Sequence, residues 1–297
     1  MTRFLDVRLQ PVGGAVAQQV ALFSGTSIGD YTGMTLADLK SFIQGQHLLI
    51  GAHGFNVNRA DGIASLSGWE ALLQLPPSSV FMGLLWPGDS IWAHGLDYPS
   101  EAHVADQSGQ RVGAFVDANF GGAASISFIS HSLGARVVLS AISNMKRSVR
   151  RLTVMAGAID NDCLTNEFSQ VPDSVGSISA LASLGDTVLS ELFPLGNFFA
   201  GILDSGHPWV RSALGHRGPG GSAPSNFVAP FQIPDGWKYN HGDYLNVDPP
   251  APPQLALPTD VPGIQAGPPA ALLDAQGNAL PSWKAAFSAA FASTRFR

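Results

Sequence analysis

A single cysteine, Cys163, stands in the 297 residues, so no internal disulfide can staple this chain and a buried core must hold it together. Charge is scarce too: Asp, Glu, Lys and Arg make up 13% of the residues, where soluble domains usually carry roughly 25%. The surface must therefore be neutral, small-residue and partly apolar. Positive charge is neither abundant nor concentrated, with a formal net charge of -6 and 16 Lys and Arg. Their one cluster, Lys146, Arg147, Arg150 and Arg151, is read as the solvated end of a helix, where cations suit the negative end of the dipole. Nucleic acid is excluded as a partner class, because phosphate binding needs a concentrated positive field.

Long hydrophobic runs are missing as well. Nothing reaches the roughly 18 apolar residues of a membrane span, and the opening MTRFLDVRLQPVGG carries Arg3, Asp6 and Arg8 with no apolar stretch of signal-peptide length. The expectation is a cytoplasmic protein without a transmembrane segment. The 8 histidines show no paired ligand spacing, so neither a metal nor another cofactor is expected. No repeat of solenoid or propeller period is visible.

What is present is an alternation of short β-forming runs with helical spacing, the pattern of a mostly parallel sheet with crossover helices: an α/β fold with helices on both faces. Strands are predicted over residues 4–9, 16–23, 47–52, 80–86, 125–130, 151–156 and 177–182, and helices over 35–44, 62–75, 100–119 and 133–146. The middle strands, LLIGA, VFMGLLW and ISFIS, are almost continuously apolar, as parallel strands covered on both faces are. The first two runs alternate more and are expected to form an antiparallel edge. Residues 1–248 are read as one α/β domain with a lid-like insertion over 191–231, and 249–297 as a proline-rich extension ending in a short helix.

The sharpest chemical signal is SISFISHSLGARVVLSAI, where an apolar strand runs through Ser130-His131-Ser132-Leu133-Gly134 directly into a helical pattern. A strand, a tight turn and a helix are the context of a nucleophile elbow, which lifts a serine hydroxyl above the sheet and needs small residues two positions to either side. Ser130 and Gly134 occupy those places, so Ser132 is the candidate nucleophile and Ser130 is left structural. Upstream, HLLIGAHGFN closes a strand on His53-Gly54-Phe55-Asn56. The amides of Phe55 and Leu133 are the candidate oxyanion donors, while His53 itself is expected to be structural.

The acid and base should follow in the order Ser, Asp or Glu, His. Of His207, His216 and His241, the last, in KYNHGDYLNV, is the candidate base; the other two flank a Gly- and Pro-rich loop. The acid is Asp186 in ASLGDTVL, at the end of a predicted strand, with Asp160 in AGAIDND as the alternative. Asp160 and Asp162 read otherwise as a solvated turn. Trp92, Phe198, Phe199, Ile202 and Trp209 are the candidate substrate-binding residues, enough apolar surface to line an acyl site or a lid.

This set, with Trp86-Pro87, Tyr98-Pro99, the HSLG of the elbow and the spacing of Ser183, Asp186 and Leu189, resembles the α/β-hydrolase superfamily and, within it, a bacterial family of uncharacterised lipase- and esterase-like hydrolases. The resemblance covers roughly residues 45–247. It implies hydrolysis of an ester or lipid ester, and with the apolar segments it points to a substrate with an apolar acyl group. An acyltransferase or amidase using the same three residues, and a catalytically silent binding protein of the same fold, stay open as alternatives. The oligomeric state is not legible.

Overall fold

The computed structural model describes residues 1–73, 75, 78–89, 98–193, 212–227, 232–233 and 239–245. Trp92, Phe198, Phe199, Ile202, Trp209 and His207 lie outside them, as do the 249–297 extension and much of the expected insertion.

Eight strands form one sheet in the order β3-β2-β1-β5-β4-β6-β7-β8: β1 (Thr2–Arg8), β2 (Val16–Gly25), β3 (Thr32–Gly33), β4 (His47–Ala52), β5 (Ser79–Leu85), β6 (Ser125–His131), β7 (Val149–Met155) and β8 (Val175–Leu181). From β1 to β8 across the sheet every pairing is parallel, and β2 and β3 add the antiparallel N-terminal edge. Helices α1 (Leu36–Ile43), α2 (Arg59–Leu72), α3 (Tyr98–Asn119) and α4 (Gly134–Ser143) make the long connections. Phe4, Leu49, Ile50, Phe81, Phe128 and Leu152 fill the core against them.

Local chemistry explains the starts of these helices. Thr35 caps α1 in a reciprocal box with Asp38, and Asn58 caps α2 by accepting from the Asp61 amide. Pro99 stands in the first turn of α3, where its missing N–H has no intrahelical partner to lose. Gly109 and Gly113, four apart on one face of α3, let it lie on the backbone of α4: a Cβ at either would meet the Val137 or Ala141 carbonyl oxygen at 2.4 Å.

One expectation needs correction. The basic cluster is not the end of one helix: α4 stops at Ser143, the Lys146 and Arg147 amides donate to the Asp117 carboxylate, and Arg150 and Arg151 belong to β7, with Arg151 buried. Strands β1 and β2 pair antiparallel at the N-terminal side of the sheet, as expected, with β1 lying inside β2, against β5, and buried along nearly its whole length. Its charged residues Asp6 and Arg8 are buried because they are paired. The two-residue β3 escaped notice because so short a bridge has no periodicity.

Residues 213–217 sit by the ends of β7 and β8 rather than apart from the sheet. Ala213 bridges Asp160, and the Gly215 amide donates to the Gly157 carbonyl. Phe227 and Gln232 bridge Ile178 and Ala182 alongside β8.

Candidate active site

The ladders align Ala52 of β4 with Ser130 of β6, and His131 with Met155 of β7. These carboxyl ends share one rim, where open α/β sheets place their ligands. At that rim β6 turns into α4 through Ser132, whose φ is 53, a left-handed value that a serine adopts only under constraint. The constraint is visible. The Ser132 amide donates to the Met155 carbonyl, and its own carbonyl accepts from the Ala135 and Ala158 amides. A Cβ at Gly134 would stand 2.4 Å from the His53 carbonyl oxygen, so the elbow can pass the end of β4 only with glycine there. Ser130 is fully buried at the other small-residue position.

Ser132 Oγ lies 2.9 Å from His241 Nε2, and His241 Nδ1 lies 2.8 Å from Asp186 Oδ2. The hydroxyl thus donates to Nε2 while the ring donates its Nδ1–H to the carboxylate. Asp186 is wholly buried, and its other oxygen accepts from the Leu189 amide at 2.9 Å, opening the π-helical turn Val188–Leu192. Ser183 Oγ donates to the Tyr239 carbonyl at 2.6 Å, and Asn240 Oδ1 accepts from the Thr187 amide at 3.0 Å. The spacing of Ser183, Asp186 and Leu189 therefore has a physical reading: one residue ties the two loops, one meets the imidazole, and one orients the carboxylate.

Asp160, the alternative acid, lies on the turn after β7 and bridges Ala213, and the carboxylate beside His241 is that of Asp186. His216 is away from Ser132, its Nε2 donating to the Leu184 carbonyl at 3.3 Å.

Phe55 is half-buried and Leu133, the N-cap residue of α4, is buried. Among the described residues neither amide donates to another backbone group, and the Leu133 amide opens a helix whose positive end favours an anion. Asn56, next to Phe55, has φ 58, which asparagine tolerates better than most residues, and its amide is held by the Gly88 carbonyl at 2.6 Å.

His53 is structural, as expected. Its ring is buried and stacked on Trp86, it donates from Nδ1 to the Gly54 carbonyl at 2.9 Å, and Nε2 accepts from the Trp86 amide at 3.3 Å. Trp86 returns a bond from its indole to the His53 carbonyl at 2.8 Å. Burial pushes His53 down to about 3, which keeps it neutral.

His131 was given no role by sequence reasoning. Its Nε2–H donates to the carbonyl of His241 at 2.8 Å, with the two rings 4.8 Å apart. Burial, then the neighbouring His241, pushes it down to about 3. It anchors the backbone of the candidate base, and the one signal that could have revealed it was a histidine inside an otherwise apolar strand end. Tyr244 is buried beside it, its hydroxyl without a partner among the described residues and its pKa well above the ordinary value through burial and the charge of Asp186.

No three His, Cys, Asp or Glu side chains converge as a metal site among the described residues. A serine bonded to an imidazole that is itself oriented by a carboxylate can deliver a nucleophilic oxygen at neutral pH.

An eight-stranded, mostly parallel sheet with a serine raised on a strained turn at its carboxyl rim defines the α/β-hydrolase class. The chain belongs to the alpha/beta hydrolase family of unknown function DUF900, which it matches over residues 34–218. That stretch contains Ser132 and Asp186, while Arg8 and His241 lie outside it. No curated protein matches the chain. Among solved structures, an esterase, PE8, shares 15% identity over 52% of this chain and 80% of its own, with a TM-score of 0.33. A pair of prolyl endopeptidases is represented at 12% identity, 75% and 35% coverage and a TM-score of 0.34. Agmatine ureohydrolase of Thermoplasma volcanium follows at 11%, 54% and 55%, and 0.27. All three are too distant for an activity to be carried across.

Proposed function

We propose that the protein is a serine hydrolase that cleaves carboxylic esters through an acyl-enzyme, with Ser132 as nucleophile, His241 as general base and Asp186 as the acid that orients it. The observation that carries this reading is the pair of contacts, 2.9 Å and 2.8 Å, that joins three residues scattered between positions 132 and 241. His241 takes the Ser132 proton as Oγ attacks the ester carbonyl. The oxyanion of the tetrahedral intermediate is held by the amides of Phe55 and Leu133, each such donor being worth about 3 kcal/mol of barrier. His241 then gives its proton to the departing alkoxide, and water repeats the sequence to release the acid. Asp186 fixes the tautomer and stabilises the imidazolium.

For the substrate, the apolar residues Trp92, Phe198, Phe199, Ile202 and Trp209 favour an apolar acyl group on a small-molecule or lipid ester. Purified protein should hydrolyse nitrophenyl esters and take up an organophosphate at Ser132, with longer acyl chains preferred over the shortest. Ser132→Ala should lose both turnover and labelling while keeping its circular dichroism spectrum, a rate loss of about a million-fold, the scale seen when the serine of a Ser-His-Asp triad is removed. An alanine variant with undiminished activity would remove Ser132 from the chemistry. Wild-type protein that neither turns over esters nor accepts the label would make it a silent member of the fold.

A further inference from the structure

We propose that Arg8 is a positioning residue for the oxyanion loop: from β1, outside the family match, it fixes the backbone on either side of the Phe55 amide. The inference rests on the ester-hydrolase reading above and deepens it by naming what holds one oxyanion donor in place.

The Arg8 side chain is wholly buried. Its Nη1 donates to the Trp86 carbonyl at 2.7 Å and to the Val57 carbonyl at 3.0 Å, and its Nη2 forms an ion pair with Asp89 and donates to the Pro11 carbonyl. One planar fork therefore ties the segment after β5 to the segment after β4. Phe55 lies inside this clamp. On one side, His53 is held through Trp86, whose carbonyl Arg8 binds. On the other, Asn56, strained at φ 58, is held by Gly88 and followed by Val57, whose carbonyl Arg8 also binds.

A left-handed Asn56 persists only where its surroundings over-determine it, and the direction of the Phe55 amide depends on that turn. A buried guanidinium is costly unless every donor is met, and here each is spent on backbone or carboxylate. Lysine could not reproduce this, because a single ammonium cannot span both loops in one plane. Strand β1, which carries no recognisable motif, thus reaches the chemistry through a residue that never touches the substrate.

The test compares Arg8→Lys with wild type for kcat and KM on a nitrophenyl ester, for thermal midpoint, and for hydrogen–deuterium exchange of the peptide covering residues 53–58. We expect kcat to fall about 10- to 100-fold, the scale of a loop displaced by about 1 Å. KM should stay within about threefold, and exchange over 53–58 should quicken while that of α4 does not. A folded variant with wild-type kcat, or one whose loss appears only in KM, overturns the inference. If Arg8→Lys fails to fold, Asp89→Ala decides: it removes the carboxylate that fixes Nη2 and so loosens the guanidinium on the Trp86 and Val57 carbonyls, and unchanged kcat and unchanged exchange there would equally overturn it. Should wild-type protein cleave no ester, the ester reading fails by itself, and the exchange of 53–58 still tells whether Arg8 holds the loop.

Discussion

Two imidazoles, His53 and His131, are buried without charge beside the candidate nucleophile, and both are pushed down to about 3, first by loss of solvent. In the unfolded chain they titrate near 6.5. As pH falls through that value the unfolded state binds protons that the folded state refuses until about 3, so stability is lost on acidification across this window. Each group steepens the loss by up to about 1.4 kcal/mol per pH unit. Urea midpoints between pH 7.5 and 4.5 should therefore fall, and His131→Gln, which keeps an N–H near the Nε2 position for the His241 carbonyl, should fall less steeply by about one such increment. Equal slopes in the two proteins would mean that His131 is not held neutral.

The element that sets the elbow is α4, and its position depends on how closely α3 approaches it. Gly109→Ala would drive a Cβ to 2.4 Å from the Val137 carbonyl oxygen, a backbone clash that no rotamer change relieves, and should cost about 1–3 kcal/mol. Gly68, inside α2, has nothing within 4 Å of its hypothetical Cβ. Gly68→Ala should therefore be neutral or stabilising, by up to about 1 kcal/mol. Denaturation midpoints of the two variants check this, and a harmless Gly109→Ala would show that the helices can slide apart without consequence. The same element-level logic explains the elbow itself: Gly134 is required by the passing β4 backbone, whereas buried Ser130 is small enough to stand where a glycine is usual.

At the scale of the whole molecule, the family match begins at residue 34, but the sheet does not. Strand β1 lies between β2 and β5, and Phe4, Leu5 and Val7 are fully buried. Removing residues 1–33 would strip away that apolar surface, roughly 5–9 kcal/mol at the usual worth of such side chains. The loss is comparable with the whole stability of an ordinary domain, about 5–15 kcal/mol. The truncated chain should fail to give a cooperative melt, and a chain from 34 onward melting like the full protein would disprove it. Among the described residues no helix is long and apolar enough to cross a membrane.

Much of this architecture was legible before any coordinates, because it is written in local pattern. LLIGA and ISFIS announce strands covered on both faces, and the step from ISFIS through HSLG into a helical period announces the turn that raises Ser132. The order of Ser, acid and His narrowed the partners to a few residues, since chain order is itself a constraint of this topology. Setting the Asp186 carboxylate 2.8 Å from His241, burying Asp6, Arg8 and Arg151, and turning Arg8 and His131 toward the site required the folded chain. Those are pairings between residues tens of positions apart. A charge in a strand looks alike in sequence whether it meets water or a buried partner, and only the packing of distant segments settles which.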